Sequence, residues 1–184
     1  MLKFKCLIVI AFILSVNAQA QDKFYTKTGK IEFSSKAPME DIEAKNKTLA
    51  GLLDTKTGMM QFSVLMKGFE FPKALMQEHF NENYIESDKY PRGDFKGSIS
   101  NNKDINYTVD GTYPAEVIGK LTLHGVTRDL KTKGTVKVEN GKVQTNATFN
   151  VLLSDYQIKI PSVVKEKLSN NIVVMVECKM DPLK

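Results

Sequence analysis

The sequence has no tryptophan, and only two histidines and two cysteines in 184 residues. Each scarcity excludes a class of chemistry. Cys6 lies in an N-terminal apolar run, which leaves Cys178 alone in the rest of the chain. A lone cysteine forms no internal disulfide and supplies no two-cysteine metal site. His79 and His124 each lack a second histidine or a cysteine at ligand spacing, so the common zinc patterns are absent. No nucleophile elbow, phosphate loop or dinucleotide fingerprint occurs. Beyond residue 20 no stretch is long and apolar enough for a membrane-spanning helix. Charges of one sign do not gather in a block. Lysines alternate with acids, which argues against a nucleic-acid partner.

The first twenty residues read as a signal peptide. Lys3 and Lys5 give a positive start, Cys6 to Val16 is a short apolar run, and Ala18-Gln19-Ala20 is a small-x-small cleavage site. The mature chain is then expected to begin at Gln21, as one domain over residues 21–184 in the periplasm or secreted. Without Lys3 and Lys5 it carries 24 basic against 21 acidic residues, a net charge of +3. That surplus is mild, and it leaves room for transient contact with an anionic membrane surface.

The strongest signal in the mature chain is period-two alternation. Ile31 and Phe33 share a face, as do Met60, Phe62, Val64 and Met66. Phe95 and Ile99 follow, then Ile105, Tyr107 and Val109, then Leu121 and Leu123. Val136 and Val138, the run Val143 to Val151, and Ile172 to Met180 complete the set. Turn signals fall at Thr28-Gly29, Thr57-Gly58, Asn101-Asn102, Asp110-Gly111 and Asn140-Gly141. Asn140-Gly141 is the best hairpin signal, because both residues accept the positive φ of a type I′ turn. Short strands at this spacing predict a mostly β antiparallel barrel or sandwich. Lys73 to Asn83 breaks the pattern. Leu75, Met76, His79 and Phe80 fall there at helical spacing after Pro72, which predicts a short capping helix. A second helical turn is expected from Val163 to Leu168.

Few residues invite a chemical role. Cys178 sits in a predicted strand and reads as a buried thiol. Asp54 and Asp155 fall near strand ends, where carboxylates ordinarily serve turns. Asn46, Asn106 and Asn146 head glycosylation sequons, which matter only in a glycosylating host. Large, soft apolar residues are in surplus. Met59, Met60, Met66, Met76 and Met175 fall on or beside the predicted inward faces, with Phe62, Phe69, Phe71, Phe80, Phe95 and Phe149. Methionine adapts to a flexible guest, and an eight-stranded barrel is either just filled or able to hold one small ligand. An ordinary core accounts for these residues equally well.

Several segments in order resemble the YceI-like family of bacterial periplasmic proteins. They are Asp54-Thr55, His79-Phe80, Tyr90-Pro91 followed by Phe95, Gly111, Leu121-Thr122-Leu123-His124-Gly125-Val126-Thr127 and Ser154-Asp155-Tyr156-Gln157-Ile158. Two departures stand out. Gln157 occupies a place where many members have glycine, and Phe69 to Met76 lacks an Arg-Asp seen in many relatives. The resemblance implies an antiparallel lipocalin-like β-barrel with one or two short capping helices. It also implies a long apolar channel for an isoprenoid or similar lipid, with Gly125 serving a bend and His124 given no acid–base role.

On that reading the protein is not an enzyme. It binds, transports or sequesters a long apolar molecule and carries no resident cofactor beyond a bound isoprenoid lipid or prenyl-quinone. Alternation places Phe62, Val64, Met66, Phe95, Tyr107, Val109, Leu121, Leu123 and Phe149 on the inward face as channel lining, with Phe80 added from the capping helix. The expected partner is a hydrophobic small molecule, and a homodimer stays open. The alternatives are a quinone-binding accessory of a membrane redox system, an enzyme acting on a lipid, and a stress or structural barrel with a filled core.

Overall fold

Eight strands form where alternation and turn chemistry place most of them. The computed structural model describes residues 22–183. The expected signal peptide and its cleavage site lie outside the described residues. The strands are β1 (Lys23–Lys36), β2 (Asp41–Asp54), β3 (Met59–Leu65), β4 (Arg92–Ile99), β5 (Gly111–Leu123), β6 (Val126–Glu139), β7 (Lys142–Leu152) and β8 (Asn171–Pro182). Each pairs antiparallel with the next, and β8 pairs with β1 to close the barrel. Closure leaves no sheet edge exposed. The β6–β7 hairpin turns on Asn140 and Gly141, with φ of 52° and 71°, as that dipeptide predicts.

Two segments depart from the sequence reading. β2 is not marked by alternation, because its inward row carries Ala44 and Asn46 and then changes phase to Leu49 and Leu53. The phase change is a bulge in the β1–β2 ladder: Thr26 pairs Gly51, Gly29 pairs Leu49, and Ile31 pairs Asn46. Thr28-Gly29 is therefore not a turn but part of this bulge inside β1. A Cβ on Gly29 would lie 2.7 Å from Cys178 Sγ and 2.9 Å from the Leu49 carbonyl, so the close approach requires glycine. Buried Asn46 is fully engaged. Its Nδ2 donates to the Leu65 carbonyl at 3.0 Å, and its Oδ1 accepts from Thr48 N at 2.8 Å.

Ile105–Val109 is not a strand either. Asn106 Oδ1 accepts from Thr108 N at 3.0 Å and from Thr108 Oγ1 at 2.8 Å, a local turn that outcompetes a ladder. The segment folds as the β4–β5 loop, in which Ile105 is buried and Tyr107 donates to Asn102 Oδ1 at 2.8 Å.

Sequential antiparallel pairing divides the connections between the two ends of the barrel. The β2–β3, β4–β5 and β6–β7 turns share one end, and side chains fill the barrel there. Phe24, Leu53, Val138, Val143, Cys178 and Met180 are all buried. Among the described residues Cys178 has no disulfide partner, and burial pushes its thiol up to about 12. The other end carries the long connections Met66–Pro91 and Leu153–Asn170. The first holds α1 (Ala74–His79), extended by a wider π turn over Phe80–Tyr84, in place of the predicted helix over Lys73–Asn83. The second holds short 3-10 turns at Leu153–Tyr156 and Ser162–Val164.

Candidate functional site: the barrel cavity

Towards the end that carries α1 the barrel is hollow. A cavity of about 510 Å³ opens there, within the size range of small-molecule sites. Its width follows from small residues on the inner wall. Ala115 pairs with Gly134, Gly134 with Ala147, and Ala147 with Val176, so a belt of short side chains crosses four strands. Gly97 and Gly119 pair on the neighbouring wall. A Cβ on either would lie 2.6 Å from Cζ of Phe95, so these glycines let the Phe95 ring lie flat along the wall.

The lining is overwhelmingly apolar. Phe62, Val64, Met66, Phe80, Phe95, Leu121, Leu123 and Phe149 all reach the cavity. Tyr107 and Val109, placed in the channel by alternation, do not. Their segment is a loop at the filled end, where Val109 is 52% exposed and burial pushes the Tyr107 phenol up to about 12. Met59 and Met175 also face outward, at 56% and 44% exposure, because each sits one residue out of phase with the inward row. Met60, Met66 and Met76 do line the cavity.

Near the mouth four phenylalanines from three elements pack together. Phe33 of β1 lies 5.2 Å from Phe69 and 5.6 Å from Phe80, centroid to centroid, and Phe71 lies 5.1 Å from Phe80. Such ring pairs add to simple area burial. Tyr84, from the π turn, also lines the cavity, and burial raises its phenol above the ordinary value. Periodicity does not mark Tyr84, since it lies past the helical repeat. The rim is polar: Glu40, Lys73, His79 and Lys167 stand at the mouth, with Lys73 Nζ 3.0 Å from Glu40 Oε1.

The heptapeptide Leu121–Thr127 does two jobs. Leu121 and Leu123 face the cavity, while His124 and Gly125 form the β5–β6 turn with φ of 51° and 74°. His124 is held from three sides. Nε2 lies 2.8 Å from Glu86 Oε2, Nδ1 lies 3.0 Å from the Tyr156 carbonyl, and the ring meets Tyr90 edge-on at 4.6 Å. A Cβ on Gly125 would lie 2.6 Å from the Tyr90 ring. This cluster ties the α1 connection to the barrel rim. His79 stands apart from it, exposed on α1. Among the described residues no three His, Cys, Asp or Glu side chains gather as metal ligands, and no helix is long and apolar enough to cross a membrane.

Solved structures share this architecture. A polyisoprenoid-binding domain from Saccharophagus degradans, implicated in plant cell wall breakdown, superposes with a TM-score of 0.77 at 14% identity, over 89% of this chain and 99% of that one. BcnA of Burkholderia cenocepacia superposes at 0.69 and 14% identity, over 83% and 96%. The YceI protein of Campylobacter jejuni gives 0.53 and 13%, over 100% and 92%. At such identities the likeness establishes the fold alone. No curated protein matches the chain. The sequence pattern of the YceI-like domain matches residues 10–180, nearly the whole chain, and by that match the chain belongs to the YceI-like family.

Proposed function

We propose that this protein is a non-enzymatic carrier or sequestering protein for a long apolar molecule of isoprenoid type, working in the periplasm or outside the cell. One observation carries the reading: an apolar cavity of about 510 Å³ that runs from the small-residue belt to a charged rim. The polyisoprenoid-binding description of the Saccharophagus degradans neighbour supports the same class of guest. The energetics suffice without any reactive group. Each buried CH₂ contributes about 0.8 kcal/mol, so about ten give roughly 8 kcal/mol, near micromolar affinity before ordering costs. One copy encloses the cavity by itself, so the reading needs no homodimer. A filled-core structural role does not fit the open interior.

A prenyl-quinone is the second reading. Its tail matches the same cavity, and Tyr84 in the lining offers a hydroxyl to a quinone carbonyl.

Native mass spectrometry of protein purified from its own host without detergent tests both, with organic extraction of whatever is released. A stoichiometric prenyl lipid or prenyl-quinone is the expected result, and its identity chooses between the readings. A clean apo mass, with no uptake of added prenyl lipid, refutes both.

A further inference from the structure

We propose that the cavity gauges chain length: it encloses about twenty carbons of a prenyl chain, and any further carbons stay outside the mouth. The floor is a closed layer. Leu49, Met60, Ile99, Val117, Val136 and Thr145 line the cavity and are buried. Beneath them Leu53, Cys178 and Met180 fill the barrel at no more than 1% exposure. That layer has no slack, since a Cβ added at Gly29 would meet Cys178 Sγ at 2.7 Å. A chain entering from the mouth therefore stops at this floor.

Depth and volume give the same length independently. On β5 the lining runs from Ala115 to Leu123, eight residue steps. At about 3.4 Å per step, in a wall tilted by about 40°, that is a depth of about 20 Å. An extended carbon chain advances about 1.2 Å per bond, so each four-bond isoprene unit takes about 5 Å and about four units reach the floor. A cavity of about 150 Å³ holds the six carbons of benzene, so about 510 Å³ holds about twenty. No room is left for a longer chain to fold back on itself. At the mouth the wall ends in polar groups: the Lys73–Glu40 pair, His79 and Lys167. Leu75 beside them is 61% exposed and offers a surface, not an enclosure. This limit rests on the carrier reading, since it requires a prenyl guest in the barrel.

The test loads the purified chain with geraniol, farnesol, geranylgeraniol, geranylfarnesol or the eight-unit prenyl alcohol. Native mass spectrometry then times the release of each to excess cyclodextrin. Release rate is the readout because carbons left in water do not hold the chain to the protein, whatever they do to solubility. Release is expected to slow about tenfold or more for each unit up to geranylgeraniol, and less than about threefold in all from there to the eight-unit alcohol. Ala115→Leu places a branched side chain at the inner end of the β5 lining and is expected to move the break down to farnesol. The wild-type series decides the question by itself should that variant not fold. Release that keeps slowing at the same rate beyond geranylgeraniol overturns the limit. So does a break already at geraniol, or a folded Ala115→Leu variant that releases every alcohol as the wild type does. Absence of uptake of all the alcohols sinks the carrier reading, and the limit with it.

Discussion

Ala147→Phe is the sharpest perturbation of the cavity. Ala147 sits in the middle of the small-residue belt, between Gly134 and Val176, and its side chain faces the hollow. A benzyl group there would project into space that no other side chain occupies. It would displace a length of guest equal to about four chain carbons, about 3 kcal/mol of burial. The expected result is an affinity for a long prenyl alcohol about 150-fold weaker. Stability should change by less than about 1.5 kcal/mol, since the added ring fills a void and does not overpack a filled core. The effect should also depend on chain length, because a guest short enough to stop before the belt avoids the ring. Equilibrium titration with prenyl alcohols of increasing length, read by native mass spectrometry, measures this directly. Val109→Ala is the matched control, since Val109 was placed in the channel by alternation but is exposed on a loop at the filled end. A folded Ala147→Phe variant that binds long and short alcohols as the wild type does would refute the placement of the guest in this cavity.

Two further outcomes concern stability. Burial holds the Cys178 thiol at about 12 against an ordinary 9.0, so the folded state resists losing that proton while the unfolded chain does not. The contribution is fully present below pH 9 and falls by about 1.4 kcal/mol for each pH unit between 9 and 12; Cys178→Ala should lower stability at pH 7 and flatten that alkaline fall in urea titrations, and an unchanged slope would refute the assignment. Gln157 holds φ of 59° and ψ of 22°, a left-handed conformation that costs a side-chain-bearing residue about 1 kcal/mol. Gln157→Gly relieves this but loosens the unfolded chain, for a net gain of about 0.5 kcal/mol, whereas Gln157→Val should lower Tm by several degrees; the reverse order of melting temperatures would show that the turn is not strained.

The barrel was legible in the sequence wherever one strand face is continuously apolar. The Val143 to Val151 and Ile172 to Met180 rows keep one phase along their whole length, and both are strands. β2 was hidden because a bulge shifts its inward phase between Asn46 and Leu49, so no single period describes it. Ile105 to Val109 misled for the opposite reason. Its alternation is genuine, but Asn106 satisfies the backbone locally, and the apolar residues pack on the end of the barrel instead of inside it. The two false lining residues, Tyr107 and Val109, both follow from that one segment. Tyr84, Ala115 and Gly134 left no signal, and Ala147 is marked only by the alternation of its neighbours, because a space is made by residues that are small and a period detects residues that are large.

The residues that carry the family resemblance divide between the cap and the cavity wall, where Phe80, Phe95, Leu121 and Leu123 lie. Tyr90, His124 and Gly125 meet at the cap, where glycine and a positive-φ histidine are required by close approach and turn geometry. Phe62, Phe80, Phe95 and Phe149 face the guest space, where the physical requirement is apolar volume rather than a particular side chain. Volume-conserving exchanges at those four positions should therefore change which guest fits while the barrel stays folded. Substitutions at the cap should do the reverse, loosening the α1 connection while the inner wall keeps its shape. On the carrier reading proposed above, guest preference would be set by how far the filled end extends towards the mouth, from Ile99 and Val136 inward, and by the belt that fixes its width.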